Sequence, residues 1–115
     1  MEAITSEPQL HARIAAAPLL VLYGGAHCGV CQAIRPRIEA LMAEHFAGIA
    51  LAYVDCAQAS AVCAQQGVFS LPVLRFYVQG RLALEYARSL SLQQMLSDIG
   101  RVLALSDHGA APPGD

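Results

Sequence analysis

The sequence predicts one α/β domain in which helices flank a central mixed β-sheet. Two apolar runs, Leu19 to Tyr23 and Ile49 to Val54, have the uninterrupted character of buried strands. Between them, apolar residues recur at helical spacing. The chain has 115 residues, 56% of them hydrophobic and 14% charged, which is enough for one hydrophobic core and too few for two. We therefore expect a single domain over residues 1–105.

The first half of the chain alternates strands with helices. A few residues around Ile4 form a short strand, and the capping box Ser6-Glu7-Pro8-Gln9 begins a helix that ends near Ala16. The run at 19–23, between Pro18 and Gly24, is a strand buried on both faces. Apolar side chains from Ile34 to Phe46 then predict an amphipathic helix over residues 29–45.

The second half adds three strands and two helices. They are a strand over 49–54, a helix over 58–66 that stops at Gly67, a hairpin of 73–78 with 82–86, and a helix that Ser91 caps. In this last helix we expect the inward side chains to be Leu92, Leu96, Ile99 and Leu103. The order (β)αβαβαββα predicts a sheet with the hairpin as its antiparallel edge. Residues 106–115 lack apolar periodicity and are expected to form a flexible tail.

Charge and hydropathy argue against two classes of partner. The net charge of −2 and the pI of about 6.0 provide no basic surface for nucleic acid. The longest uncharged stretch, 14–27, is shorter than a membrane span and contains Pro18 and Gly24-Gly25. Acidic residues precede the first arginine, unlike the start of a secretory signal. We expect a cytoplasmic protein, a monomer without nucleic-acid or membrane partners.

Cys28 and Cys31 form a C-x-x-C motif at the start of the helix predicted over 29–45. Unpaired N–H groups and the positive end of the helix dipole stabilise a thiolate there, so we expect Cys28 to be the acidic, nucleophilic thiol. Cys31 lies one turn further along, where it can close a disulfide. This pair is suited to attack a substrate disulfide through Cys28 and to release the product through Cys31.

A zinc site is the main competing use of these cysteines. It needs a second ligand pair, for which the chain offers Cys56 and Cys63. These two are seven residues apart, a spacing that no common zinc module uses. The four histidines show no matching ligand spacing either. We therefore predict no metal and no cofactor.

Further motifs accompany the cysteine pair. In chain order they are the strand Leu19 to Tyr23, Cys28-Gly29-Val30-Cys31, Pro36, Val54-Asp55, Gly67-Val68-Phe69-Ser70-Leu71-Pro72 and Gly80. Together they resemble the thioredoxin family from about residue 4 to residue 104. The resemblance implies a thioredoxin-like fold and thiol–disulfide oxidoreductase activity in cell redox homeostasis. Locally, Asp55-Cys56 and Cys63 ahead of Gly67-Val68 also resemble protein disulfide isomerase catalytic domains.

The resemblance also implies roles for residues around the motif. Pro72 matches a cis proline that packs against the cysteine pair, and the backbone of the preceding residue, Leu71, pairs with the substrate chain. On the same basis, substrate contacts are expected from His27, Gly29, Val30 and Arg88. The partners implied are disulfide-containing proteins and an upstream reductase or oxidant. A non-catalytic module that holds a peptide beside Leu71 and Pro72 is the alternative, although two retained cysteines argue against it.

The chain departs from the family at positions that tune the chemistry. His27 replaces a tryptophan, Gly24 replaces a second tryptophan, Val30 replaces a proline, Leu22 replaces a buried aspartate, Leu51 replaces a lysine and Arg88 replaces a glycine. The imidazolium of His27 would favour the adjacent thiolate, and Arg88 would favour acidic partners. We interpret Cys56 and Cys63 first as small buried apolar residues, with a second disulfide left open.

Overall fold

The structure is a computed structural model that describes residues 1–87 and 90–110, with the last four, 107–110, as backbone only. The strands are β1 (Glu2–Ala3), β2 (Leu19–Gly24), β3 (Ala50–Asp55), β4 (Val73–Val78) and β5 (Arg81–Tyr86). The helices are α1 (Glu7–Ala16), α2 (Gly29–His45), α3 (Ser60–Gln65) and α4 (Leu92–Ala110). Within the described residues, none of the helices combines the length and hydropathy needed to cross a membrane.

The five strands form one mixed sheet in the order β1-β3-β2-β4-β5. β3 is parallel to β1 and β2, whereas β4 is antiparallel to both β2 and β5. Strand β2 is therefore central, and its register sets Gly24 beside Asp55 of β3 and Tyr23 beside Val73 of β4. This arrangement confirms the predicted thioredoxin-like α/β fold with an antiparallel hairpin at its edge.

Local signals in the sequence place several element boundaries correctly. The Ser6 side chain caps α1 by accepting the N–H of Gln9 at 3.2 Å, and Ser91 accepts the N–H of Gln94 at 3.2 Å in α4. α2 and β4 have the predicted bounds. α4 continues to Ala110, five residues past the predicted domain end at 105. The remainder of the predicted tail, 111–115, lies outside the described residues.

Two apolar clusters cover the two faces of the sheet, and β2 contributes to both. Leu19, Val21 and Tyr23 face one cluster, whereas Leu20 and Leu22 face the other. All six residues of β2 are buried. Every side of this strand is therefore in contact with protein, which holds its carboxyl end in place.

The most deeply buried side chains of α4 are not all among those predicted to face inward. Met95 and Ile99 are fully buried and Leu92 is 7% exposed, whereas Leu96 and Leu103 are half-buried. The i, i+3, i+7 spacing of the buried residues follows one narrow stripe. Met95 was missed because both Met95 and Leu96 fit a helical period beside Leu92 and Ile99.

A buried polar contact joins β2 to β4. The hydroxyls of Tyr23 and Tyr77 share a hydrogen bond of 3.0 Å, and the guanidinium of Arg75 lies 5.3 Å from the centre of the Tyr23 ring. Burial, together with the bond to Tyr77, raises the pKa of Tyr23. The Tyr23 hydroxyl therefore stays protonated at neutral pH.

Candidate active site

The segment between β2 and α2 places the first cysteine at the start of a helix. The N–H of Cys28 donates to the carbonyl of Gly25 at 3.1 Å, and the side-chain amide of Gln32 donates to the same carbonyl at 3.1 Å. Cys28 is the N-cap residue of α2, which runs for 17 residues. The N-terminal N–H groups of a helix of this length face the cysteine.

Cys28 and Cys31 form a disulfide, with their Cα atoms 5.2 Å apart. Cys28 is partly exposed, whereas Cys31 is fully buried. The N–H of Cys31 donates to the Cys28 sulfur at 3.2 Å. After reduction, this N–H and the helix dipole would stabilise a thiolate on Cys28. The predicted division between an accessible nucleophile and a buried resolving thiol agrees with this geometry.

A surface pocket of about 370 Å³ opens beside Cys28 and is lined mainly by apolar atoms. His27, Cys56 and Leu71 line it with Cys28. A Cβ atom added to Gly25 would meet the Leu71 side chain at 3.5 Å, so Leu71 packs on the segment that leads into the motif. The Leu71–Pro72 peptide is cis, as the family resemblance implies. Of the expected contact residues, His27 and Leu71 therefore lie at the pocket.

Exposed apolar side chains occur in the C-x-x-C motif and in the turn before the cis proline. Val30 is 58% exposed, Leu71 37% and Phe69 81%. Gly29 is also exposed, and a Cβ atom there would meet nothing within 4 Å. Sequence reasoning did not single out Phe69, although an aromatic residue in a turn just before the cis proline was a signal available there. Arg88, the remaining predicted contact, lies outside the described residues.

Tyr53 of β3 is a second residue that sequence reasoning missed. A Cβ atom on Gly24 would lie 3.1 Å from the Cys31 sulfur and 3.1 Å from Cε1 of Tyr53. Gly24 has no side chain, and the Tyr53 ring occupies the space that this leaves beside the buried Cys31 sulfur. The Arg35 guanidinium lies 4.3 Å from the ring centre. The Tyr53 hydroxyl is buried and has no hydrogen-bond partner among the described residues.

Cys56 and Cys63 form a second disulfide, with Cα atoms 5.6 Å apart. The second disulfide, which the sequence left open, is therefore formed, and Cys63 is also buried in the apolar core with Cys56 packed against it. Seven residues of continuous helix would span about 10 Å, too far for a disulfide. The Asp55 carboxylate instead accepts the N–H groups of Ala57 at 2.9 Å and Gln58 at 3.3 Å. The resulting turn shortens the path, so that Cys56 approaches α3.

The four sulfurs are thus divided between two separate disulfides. Across the part of the chain that the structure describes, no three His, Cys, Asp or Glu side chains are grouped as metal ligands. The arrangement present is one of thiol–disulfide chemistry, with one sulfur of the C-x-x-C pair accessible and the other buried.

Comparisons with known proteins identify the family. The profile of the thioredoxin family matches residues 3–101. This chain belongs to the thioredoxin family. It is 28% identical over 78 residues to the thioredoxin-like protein YdfQ of Bacillus subtilis, covering 68% of this chain and 69% of YdfQ. It is 35% identical over 65 residues to a thioredoxin of Streptomyces clavuligerus, covering 56% of this chain and 60% of that protein.

The fold of this thioredoxin-family protein is similar to that of solved thioredoxins. The structure of Plasmodium falciparum thioredoxin superimposes with a TM-score of 0.74 at 21% identity, covering 84% of this chain and 97% of that one. For Fasciola hepatica thioredoxin the TM-score is 0.72 at 22% identity, covering 84% and 97%. Family membership and the C-x-x-C disulfide at a helix start make this thioredoxin-family protein a thiol–disulfide oxidoreductase.

Replacing Gly24 with alanine should destabilise this thioredoxin-family protein. The new Cβ atom would lie 3.0 Å from the Cys31 Cβ atom and 3.1 Å from Tyr53. We expect the free energy of unfolding, measured with urea on the oxidised protein, to fall by roughly 1–3 kcal/mol. Gly48→Ala is the matched control, because a Cβ atom there meets nothing within 4 Å. Equal losses in the two variants would contradict the close packing around Gly24.

Replacing Leu22 with aspartate should accelerate the step in which Cys31 acts. Leu22 is fully buried, at the position where the family resemblance places a carboxylate. A carboxylate accepts the Cys31 proton, so single-turnover release of the mixed disulfide near pH 7 should quicken, whereas stability should fall because a charge is buried. Leu22→Asn provides a similar shape without a base. Unchanged release in folded Leu22→Asp, or equal acceleration by asparagine, would show that proton transfer is supplied elsewhere.

Proposed function

We propose that this protein is an oxidoreductase that acts on disulfides of other proteins as part of cell redox homeostasis. The observation that carries this proposal is a partly exposed N-cap cysteine at a mainly apolar pocket, with further exposed apolar side chains in the motif, Val30 at 58%, and in the turn before the cis proline, Phe69 at 81%. Monomeric soluble proteins seldom leave such patches open without a partner. The partners are disulfide-containing proteins and an upstream reductase or oxidant that resets the cysteine pair.

The reaction uses the two cysteines in sequence. In the reduced protein, the Cys28 thiolate attacks one sulfur of the substrate disulfide, and the other substrate sulfur leaves as a thiolate that takes up a proton. Cys31 then loses its proton and attacks the Cys28 sulfur. This restores the Cys28–Cys31 disulfide and releases the substrate as a dithiol. The N–H of Cys31, which is 3.2 Å from the Cys28 sulfur, stabilises Cys28 as the attacking thiolate.

A protein substrate explains the surroundings better than a small disulfide does. The pocket beside Cys28 holds about 370 Å³, and a small disulfide would need no contact beyond it. Val30 and Phe69 are exposed apolar side chains that do not line this pocket, and Phe69 lies two residues before Leu71, which does. An extended substrate segment on either side of a disulfide would cover these side chains, which favours protein over small-molecule disulfides.

We place the protein in the cytoplasm as a monomer, where reducing systems recycle a cysteine pair of this type. His27 is exposed and lines the pocket, so its imidazole is available to an approaching substrate. We propose His27, Gly29, Val30, Leu71 and Pro72 as the substrate contact residues, and Arg88 as a charge that favours acidic segments.

Serine variants of the two cysteines should separate their roles. Cys28→Ser should abolish reduction of a model protein disulfide, because the accessible nucleophile is lost. Cys31→Ser should accumulate a mixed disulfide with the substrate, because no thiol remains to release it. Alkylation followed by mass analysis measures both outcomes. Failure of Cys31→Ser to trap any substrate would favour the alternative of a non-catalytic binding module.

Replacing Phe69 with serine should weaken the binding of protein substrates but not of small disulfides. We expect KM for a protein disulfide to rise about tenfold, equivalent to roughly 1.4 kcal/mol, with no change for a small aliphatic disulfide. Leu82→Ser is the control, because Leu82 is 48% exposed and lies near the turn of the β4–β5 hairpin. An equal effect on small and protein disulfides would contradict the proposed docking contact.

A further inference from the structure

The second disulfide opens onto the same pocket as the first. Cys28 and Cys56 both line the 370 Å³ pocket beside His27 and Leu71. Two adjacent carbonyl groups hold them there. The N–H of Cys56 donates to the carbonyl of Gly24 at 2.8 Å, and that of Cys28 donates to the carbonyl of Gly25 at 3.1 Å. The end of β2 therefore positions one cysteine of each disulfide at a single cavity.

The two disulfides are also similar in how they are buried. Cys28 and Cys56 are partly exposed, whereas their partners Cys31 and Cys63 are 0% and 3% exposed. In each pair, one cysteine lines the pocket and the other belongs to the interior. A thiolate that enters the pocket would therefore meet one cysteine of each disulfide. A disulfide that served only to hold α3 in place would not need one of its cysteines at the reactive pocket.

We propose that Cys56–Cys63 is a second redox site, which exchanges electrons with Cys28–Cys31 inside one molecule. This inference goes beyond the proposed function, because it requires no protein substrate. It assigns the pocket a second use, as the place where the two pairs meet through a transient Cys28–Cys56 bond.

The exchange is balanced without an added oxidant. In a molecule whose first pair has been reduced, the Cys28 thiolate attacks the Cys56 sulfur. The Cys28–Cys56 bond forms, the Cys56–Cys63 bond breaks, and Cys63 leaves as a thiolate and takes up a proton. Cys31 then loses its proton and attacks Cys28, releasing Cys56 as a thiolate. The first pair is oxidised by two electrons, and the second pair is reduced by two.

Storage of electrons is the functional consequence. An upstream dithiol that repeatedly reduces Cys28–Cys31 would fill both pairs, and the stored electrons would return to Cys28–Cys31 by the reverse steps. A fully reduced molecule would then reduce two substrate disulfides before it needed recycling, whereas a molecule with only the first pair would reduce one.

The opening rate of Cys56–Cys63 tests the proposal directly. Fully oxidised protein is mixed with excess dithiothreitol, quenched with acid at intervals, alkylated and mapped by mass spectrometry. We expect the second disulfide to open at least tenfold more slowly in Cys28→Ser than in the original protein. We also expect the Cys28-dependent rate to be unchanged on tenfold dilution of the protein, as an intramolecular step requires.

Other outcomes would overturn the proposal. Equal opening rates with and without Cys28 would mean that dithiothreitol attacks the second pair alone, and a rate proportional to protein concentration would mean exchange between molecules. A second disulfide that stays closed would be only a structural brace.

Substrate stoichiometry provides an independent readout. Fully reduced original protein should reduce two equivalents of a small disulfide in a single burst, and Cys63→Ala, which lacks the second disulfide, should reduce one. The Cys63→Ala variant should keep steady-state reduction of a protein disulfide within a few fold, because Cys28 and Cys31 are intact and Cys63 is buried and does not line the pocket. If the original protein and the variant gave equal bursts while the variant kept its steady-state activity, the second redox site would be contradicted and the proposed function would still stand.

Discussion

Complete burial of strand β2 is the constraint on which the rest of the structure depends. Because β3, β4 and both apolar clusters surround this strand, its carboxyl end cannot shift without disturbing the whole sheet. The carbonyls of Gly24 and Gly25 lie at that end and accept the N–H groups of Cys56 and Cys28. The backbone positions of Cys28 and Cys56 are therefore set by a fully buried strand, although the residues themselves lie in a loop and at a helix start.

The interior beside Cys31 shows how the chain adapts to a missing side chain. Gly24 leaves a space at the end of β2, and the ring of Tyr53 fills it from β3. The Tyr53 ring keeps the surroundings of the Cys31 sulfur closely packed, and its hydroxyl has no hydrogen-bond partner among the described residues. An unsatisfied buried hydroxyl is costly, so the close packing of the Tyr53 ring is opposed by the desolvation of its hydroxyl.

Local patterns predicted most of the fold, because they report interactions between residues close in sequence. Backbone preferences explain the capping serines and the apolar strand between Pro18 and Gly24. The spacing from Ile34 to Phe46 depends only on one apolar face of a single helix. The C-x-x-C pair was predictable for the same reason. By contrast, Tyr53 meets Cys31 only through the pairing of β2 with β3, and the exposure of Phe69 depends on how the turn before Pro72 sits on the surface. The Cys56–Cys63 bond required knowledge of where α3 begins, which the alanine-rich sequence does not specify.

Helix α3 is short, and its buried residues Val62 and Cys63 pack in the apolar core. It has six residues, its N-cap residue Ala59 makes no side-chain hydrogen bond, and it ends ahead of Gly67 in the left-handed region at φ 73°. Helices this short are not stable alone. The covalent link from Cys63 to Cys56 therefore restrains it. Opening that link would let the segment unfold locally and exchange its amide hydrogens faster while the sheet stays protected. The mobility of this segment, which follows Cys56 at the pocket, would then depend on the oxidation state of the chain.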